Sequence, residues 1–359
     1  MIEAKFDRSL LTFSLISVSF GLVAIYSASF IFAMTRKGDP NYFLFKQLLF
    51  LACGVLLLIG ALKVPLKYLE NSKVVFLIFA LQTISLIVVF FMPKINGAHR
   101  WIKIGGFTIQ PSEFAKITAI IVTAFLLKRG LEKKTRWLKL FARICIPILL
   151  ISSLIFAEPD MGMTALLIVV VFTMIFVSGF PFKYVLPLGL LLLVVSAIAI
   201  IFAPYRLERL LGTPDSDPQR SGFQIRQSLI AVGSGGVLGK KLGGGSSKRL
   251  FLPLPHTDFI FANIAEELGF VGCSILIFLV LLIGYRGFKI AVKSENPYFA
   301  LIAFGITFFI VIQSLIHIGV NIYILPPKGM PYPLISYGGS SLLSTLCAIG
   351  LLLNISKEV

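Results

Sequence analysis

The chain has 359 residues, 57% of them hydrophobic and only 14% charged, with a mean hydropathy of +0.94 and a formal net charge of +17. That apolar content excludes a soluble globular domain. The four cysteines, each inside an apolar run and none in a C-x-x-C, give no basis for a zinc site or a disulfide framework.

Apolar runs of the length a helix needs to cross hydrocarbon recur from one end to the other. The first follows Lys5 and Arg8 and continues from Leu10 to Met34. It is too long for a signal sequence and lacks a small-residue cleavage site, so it reads as a retained span. The pattern predicts an all-α polytopic protein with spans at about 10–34, 44–62, 73–92, 112–128, 143–158, 162–178, 183–203, 264–285, 298–322 and 340–355. Ten helices place both termini on one side. With that side inside, the inner segments hold seventeen Lys and Arg, and the short outer loops hold only Arg36, Lys37, Lys94, Arg100, Lys103 and Lys328. This asymmetry predicts cytoplasmic termini and a multi-pass protein of the cytoplasmic (inner) membrane.

The basic residues mostly punctuate span ends instead of building a solvated face, which argues for no nucleic acid. Anionic lipid headgroups and a negatively charged lipid-linked substrate are the expected partners. The whole chain, 1–359, reads as one transmembrane domain with a large outer loop at about 204–263, between the seventh and eighth spans. Within that loop Gly222–Val232 has helical apolar spacing suited to the membrane interface, and Gly233-Ser-Gly-Gly236 and Gly243-Gly-Gly-Ser-Ser247 break it into pieces.

Polar residues where the hydrocarbon should begin carry the functional signal, because ionisable groups there are costly and face a bundle interior or an aqueous cavity. Pro111-Ser112-Glu113 starts a helix, and Lys116 falls one turn on, where it can pair with Glu113. The carboxylate of Glu113 also suits the helix dipole, so capping alone could explain Glu113 but not Lys116. Arg100 and Trp101 stand in the loop above, where Trp101 also fits an ordinary interfacial aromatic. In Glu158-Pro159-Asp160 the proline breaks one helix, and Asp160 precedes the next as a capping carboxylate. The 249–269 stretch places Asp258 two residues after His256, ahead of an apolar segment bearing Glu266 and Glu267. Pro326–Pro333 is stiff and irregular, and Gly338-Gly339-Ser340-Ser341 opens the last helix with backbone N–H groups able to hold a phosphate.

The motifs Gly97-Ala-x-Arg-Trp-Ile, Gln110-Pro-Ser-Glu-Phe-Ala-Lys116, Glu158-Pro-Asp-x-Gly162, His256-Thr-Asp-Phe-Ile-Phe261, Glu266-Glu-Leu-Gly269 and Pro333-x-Ile-Ser-Tyr-Gly-Gly-Ser-Ser341 resemble those of the SEDS family, represented by FtsW, RodA and SpoVE. The resemblance covers essentially the full chain, and it is closer to the FtsW and SpoVE branch than to RodA. It implies a peptidoglycan glycosyltransferase that polymerises lipid II at the outer membrane face and releases polyprenyl diphosphate. The implied partners are a class B penicillin-binding protein and other divisome or elongasome membrane proteins. Asp258 matches the family's essential aspartate, and Arg100, Glu113, Lys116 and Asp160 match cavity positions. Two departures are Leu254, where family members often have Glu, and Met163, where Thr often follows the glycine; the second weakens the expected cap.

An α-linked diphosphate that becomes a β-linked glycan requires inversion, and hence one general base, for which Asp258 is the candidate. Arg100 and Lys116 are the first choices to stabilise the leaving diphosphate, with Lys328, Lys240, Lys241, Lys248 and Arg249 as helpers and Ser340 at the expected phosphate turn. His256 either tunes Asp258 or holds the loop. No cofactor is required. A divalent cation, Mg or Mn, is admitted without a recognisable ligand spacing. Two other classes remain open: a lipid II flippase, whose cavity must open to both sides, and a non-catalytic divisome scaffold.

Overall fold

The computed structural model describes residues 6–95, 97–181, 183, 184, 186, 187, 189, 221–245 and 255–359. Most of the expected seventh span, the 204–220 part of the outer loop, Lys248, Arg249 and Leu254 lie outside the described residues. The architecture is helical: α1 (Arg8–Lys37), α2 (Tyr42–Lys63), α3 (Ser72–Val89), α4 (Pro111–Glu132), α5 (Trp137–Ala157), α6 (Met161–Val177), α7 (Ser221–Ser234), α8 (Ile260–Lys293), α9 (Pro297–Asn321) and α10 (Gly339–Ile355). A short antiparallel hairpin, β1 (Ile102–Ile104) and β2 (Phe107–Ile109), precedes α4 and pairs Ile102 with Ile109.

Among the described residues seven helices are long and apolar enough to cross a bilayer, and α6 is a shorter apolar one. The protein is a polytopic helical membrane protein. Large apolar side chains such as Leu56, Phe91, Phe278 and Val292 are exposed on its circumference, where lipid replaces the missing protein contacts.

The helix α4 carries too many charges to pass as a lipid-facing span, and the bundle solves this by enclosing it. It packs against α3, α5, α6, α9 and α10, and most of its length is buried. Close helix approach elsewhere depends on small residues. Gly54 faces Leu346, Gly350 faces the Leu58 carbonyl across the α2–α10 contact, and Gly287 faces Thr307 across the α8–α9 contact.

Two expected boundaries move. Helix α5 begins at Trp137, not near 143, and α8 runs from Ile260 to Lys293, not 264–285. Hydropathy falls where Lys and Arg enter, but backbone hydrogen bonding continues while their long side chains reach water. The helix α8 is also broken at Gly269, whose φ of 63° and ψ of −160° are open to glycine and poorly tolerated by other residues. Gly233–Gly236 ends α7 as expected, and the chain then lies against this break: the N–H of Phe270 donates to the Gly236 carbonyl and that of Val271 to the Val237 carbonyl.

The two ends of the bundle differ. At one end ion pairs join neighbouring helices: Arg286 Nε donates to Asp7 at 2.9 Å, and Lys128 meets Glu70 at 2.7 Å. At the other end the hairpin, the α5–α6 turn, the 255–259 turn and the 322–338 segment gather around a concave space.

Candidate active site

The turn before α4 sets one wall of that space. Pro111 opens the helix, and the Gln110 N–H is held by Ser340 Oγ at 2.8 Å. Glu113 and Lys116 form the expected i,i+3 pair at 2.7 Å, both almost fully buried. Lys116 also donates to Gln313 Oε1 of α9 at 2.8 Å, and Gln313 Nε2 donates to the Pro331 carbonyl at 2.9 Å. The charge of Lys116 is therefore committed to a network behind the wall, and it is Glu113 that reaches the cavity.

The α5–α6 turn supplies the next group. Asp160 caps α6 by accepting from the Met163 N–H at 3.1 Å. The Met at this position does not weaken the cap, because the donor is the backbone. Arg100 spans the turn from outside: its Nε donates to the Glu158 carbonyl at 2.8 Å and its Nη2 to the Pro159 carbonyl at 2.7 Å. Burial raises the Asp160 carboxyl above the usual range, while Arg100 and the Met163 N–H draw it back. Glu158 is fully buried, and among the described residues neither of its carboxyl oxygens has a hydrogen-bond partner. Burial and the Asp160 charge push it up to about 8, with Arg100 opposing, so it is mostly neutral near pH 7.

The 255–259 turn carries Asp258 into the same space. Its carboxylate lies so close to the 326–333 segment that a Cβ added at Gly329 would stand 3.0 Å from Oδ2. Burial lifts Asp258 to about 6, with the Asp160 charge adding to the lift and Arg100 opposing it. The His256 carbonyl accepts from the Tyr337 N–H at 2.9 Å. The ring packs among Phe43, Phe32 and Tyr337, with centroids 4.4, 5.5 and 5.4 Å away. Burial lowers it to about 4, so it is neutral at pH 7.

Together these segments line a cavity of about 560 Å³. Its lining combines the polar side chains of Arg100, Gln110, Glu113, Asp160, Asp258 and Ser340 with the aromatic ones of Phe32, Phe43, Phe50, Trp101 and Tyr337. Two of the expected site residues do not line it. Lys116 lies behind Glu113, and Lys328 stands beside Gly162 near Asp160, where burial lowers its pKa and the Asp160 charge raises it. Lys240 is paired with Glu266 at 2.9 Å, and Ser27 donates to Glu267. Phe32, Phe43, Phe50, Gln313, Gln47 and Asn321 were not singled out by sequence reasoning: apolar spans contain many Phe, and a lone amide in a span has no motif around it. Among the described residues no group of three or more His, Cys, Asp or Glu side chains is placed to hold a metal ion.

A helical membrane bundle with a polar, carboxylate-bearing cavity sunk into one end defines the class: a polytopic membrane protein with a buried reaction-type pocket. Residues 7–359 match the cell cycle protein family FtsW/RodA/SpoVE, and the chain belongs to that family. It is 35% identical over 361 residues to the probable peptidoglycan glycosyltransferase FtsW of Geobacter metallireducens, covering 99% of this chain and 96% of the relative. It is 38% identical over 359 residues to stage V sporulation protein E of Bacillus subtilis, covering 98% and 97%. Among solved structures it is similar to a chain of a peptidoglycan synthase complex that coordinates polymerisation and crosslinking, with a TM-score of 0.79, 30% identity and coverage of 98% and 97%. The rod shape determining protein RodA of Thermus thermophilus gives 0.71, 26% identity and coverage of 98% and 96%.

Proposed function

We propose that this protein is a peptidoglycan glycosyltransferase that polymerises lipid II at the outer face of the cytoplasmic membrane, with Asp258 as general base. The observation that carries the reading is the convergence of Asp258, Arg100 and Asp160, from three separate segments, on one cavity. The names of its relatives point the same way.

In this reading the acceptor sugar hydroxyl lies against Asp258, which takes its proton as the oxygen attacks the anomeric carbon of the second lipid-linked chain. The bond to the polyprenyl diphosphate breaks on the opposite face, which inverts the centre in one displacement. A carboxylate whose pKa stands near 6 is a better proton acceptor than an ordinary one and still ionised at pH 7. Arg100 and the backbone N–H groups at the start of α10, Gly339 to Ser341, are placed to meet the charge that builds on the diphosphate. Lys116 acts at one remove, by tying Glu113 in the wall to Gln313 behind it. Both termini lie in the cytoplasm, and a class B penicillin-binding protein crosslinks the product.

The flippase reading needs a polar path to the far end of the bundle. Among the described residues Ile120, Met174, Ile306 and Phe309, farther along α4, α6 and α9 from the Lys116 network, are all fully buried, and this favours the polymerase. The test is to follow glycan formation from labelled lipid II by the full-length chain in nanodiscs, with lipid II scrambling measured in vesicles alongside. Glycan without scrambling is expected; scrambling without glycan overturns the reading.

A further inference from the structure

The Asp258 turn is held in an unusual way. Three successive main-chain carbonyls, those of His256, Thr257 and Asp258, each accept a hydrogen bond from a different residue of the chain's final third. The His256 carbonyl accepts from the Tyr337 N–H at 2.9 Å, the Thr257 carbonyl from Ser336 Oγ at 2.8 Å, and the Asp258 carbonyl from Asn321 Nδ2 at 3.0 Å.

Asn321 is the last residue of α9 and is fully buried. Its carboxamide spends both N–H donors and one acceptor lone pair on bonds that fix direction. Nδ2 donates a second time, to the His317 carbonyl at 2.8 Å, and Oδ1 accepts from the Ala262 N–H at 3.1 Å, in the first turn of α8. One side chain thus ties the end of α9 to the carbonyl of Asp258 and to the start of the helix that follows it. Its own carbonyl accepts from Ser228 Oγ of α7 at 2.8 Å, which fixes Asn321 from the third side. Ser336 is used just as fully: besides donating to Thr257, its hydroxyl accepts from the Tyr332 N–H at 2.9 Å. Neither residue lines the cavity.

We propose that Asn321 and Ser336 form a clamp that sets where the Asp258 carboxylate stands in the cavity, and that both are positioning residues for the reaction. The proposal rests on Asp258 being the base. A proton acceptor has to sit within hydrogen-bond reach of the attacking hydroxyl, and a turn of five residues has little stiffness of its own. Two buried side chains bonded to consecutive carbonyls remove the rocking motion that would swing the carboxylate. This also gives Ser336 and Tyr337, within the Ile335-Ser-Tyr sequence, a task distinct from ligand contact.

The full-length chain is assayed with its cognate transpeptidase for polymerisation of labelled lipid II, with kcat and KM determined separately. Asn321→Ala is expected to lower kcat by about tenfold or more while KM for lipid II moves by less than about threefold. Hydrogen exchange should quicken at the 256–259 amides while α9 and α10 stay protected. Ser336→Ala should lower kcat in the same sense, and Ser336→Thr, which keeps the hydroxyl, should restore it. A folded Asn321→Ala protein with unchanged kcat, or a loss confined to KM, overturns the clamp. Should Asn321→Ala fail to fold, the Ser336 pair decides: a folded Ser336→Ala protein with unchanged kcat rejects it. Asp258→Asn run in parallel separates the two ideas. Its activity would remove the base, whereas an inactive Asp258→Asn beside an active Asn321→Ala removes only the clamp.

Discussion

Arg100 Nε donates to the main-chain carbonyl of Glu158 at 2.8 Å, and this bond fixes a cavity-lining guanidinium to the turn that carries Asp160. A second bond, from Nη2 to the Pro159 carbonyl, makes the hold two-pronged. The planar fork matters as much as the charge. Arg100→Lys keeps the charge but loses the planar fork that holds both bonds in one fixed geometry. A hydrogen bond to a charged group contributes about 1.5 kcal/mol or more, so the expected loss in kcat/KM for lipid II polymerisation is about tenfold. Steady-state rates on labelled lipid II check this, and a Lys variant with the wild-type rate would show that the fork is idle.

The charge of Asp160 raises the pKa of Asp258, to which burial contributes more. A base works only when ionised, so polymerisation should rise with pH through about 6 and be lost below it. Asp160→Asn removes the like charge. The carboxylate of Asp258 then forms at lower pH, and the acidic limb of the rate profile should move down. A limb that stays in place, or moves up, would show that the two carboxyls do not sense each other.

Gly329 passes so close to Asp258 that a Cβ there would stand 3.0 Å from Oδ2 and 3.4 Å from Cγ, a tight contact that the carboxylate must yield to slightly. Gly329→Ala should therefore fold and reach the membrane while losing polymerisation by about tenfold, less than the roughly 100-fold of a full 1 Å misplacement, because the carboxylate is asked to shift by a smaller distance. Comparing melting temperature with turnover separates this from general destabilisation.

The Glu113–Lys116 pair is almost fully buried. Removing one partner leaves an uncompensated charge, which costs about 3–5 kcal/mol, while removing both with matched volume costs far less. Lys116→Met should lower the thermal midpoint in detergent sharply, and the Glu113→Gln/Lys116→Met double variant should regain most of it. An additive result would mean that the pair is not coupled.

The polar half of the cavity was legible in the sequence because a carboxylate or guanidinium near hydrocarbon has to be explained. Arg100, Glu113, Asp160 and Asp258 stood out on those grounds before any geometry was known. Phe32, Phe43 and Phe50 did not, since a phenylalanine facing the cavity and one facing lipid satisfy hydropathy equally. Asn321 was invisible for a different reason. Its task is defined by three partners at distances of 3.1 Å or less, and two of them lie about sixty residues away along the chain, where no local pattern around Asn321 points to them. The break at Gly269 was missed because a single glycine in an apolar run is usually carried by the helix; here the 236–237 backbone pairs with the residues that follow it. Lys116 was read correctly as paired, but its second partner, Gln313, turns it away from the cavity.

The central claim is that Asp258 removes the proton from the incoming sugar hydroxyl. It is tested most directly by turnover of labelled lipid II with the Asp258→Asn protein, in nanodiscs and with its transpeptidase present. An amide of the same shape should leave folding and partner binding intact and abolish glycan formation. Glycan strands made at or near the wild-type rate would contradict the account.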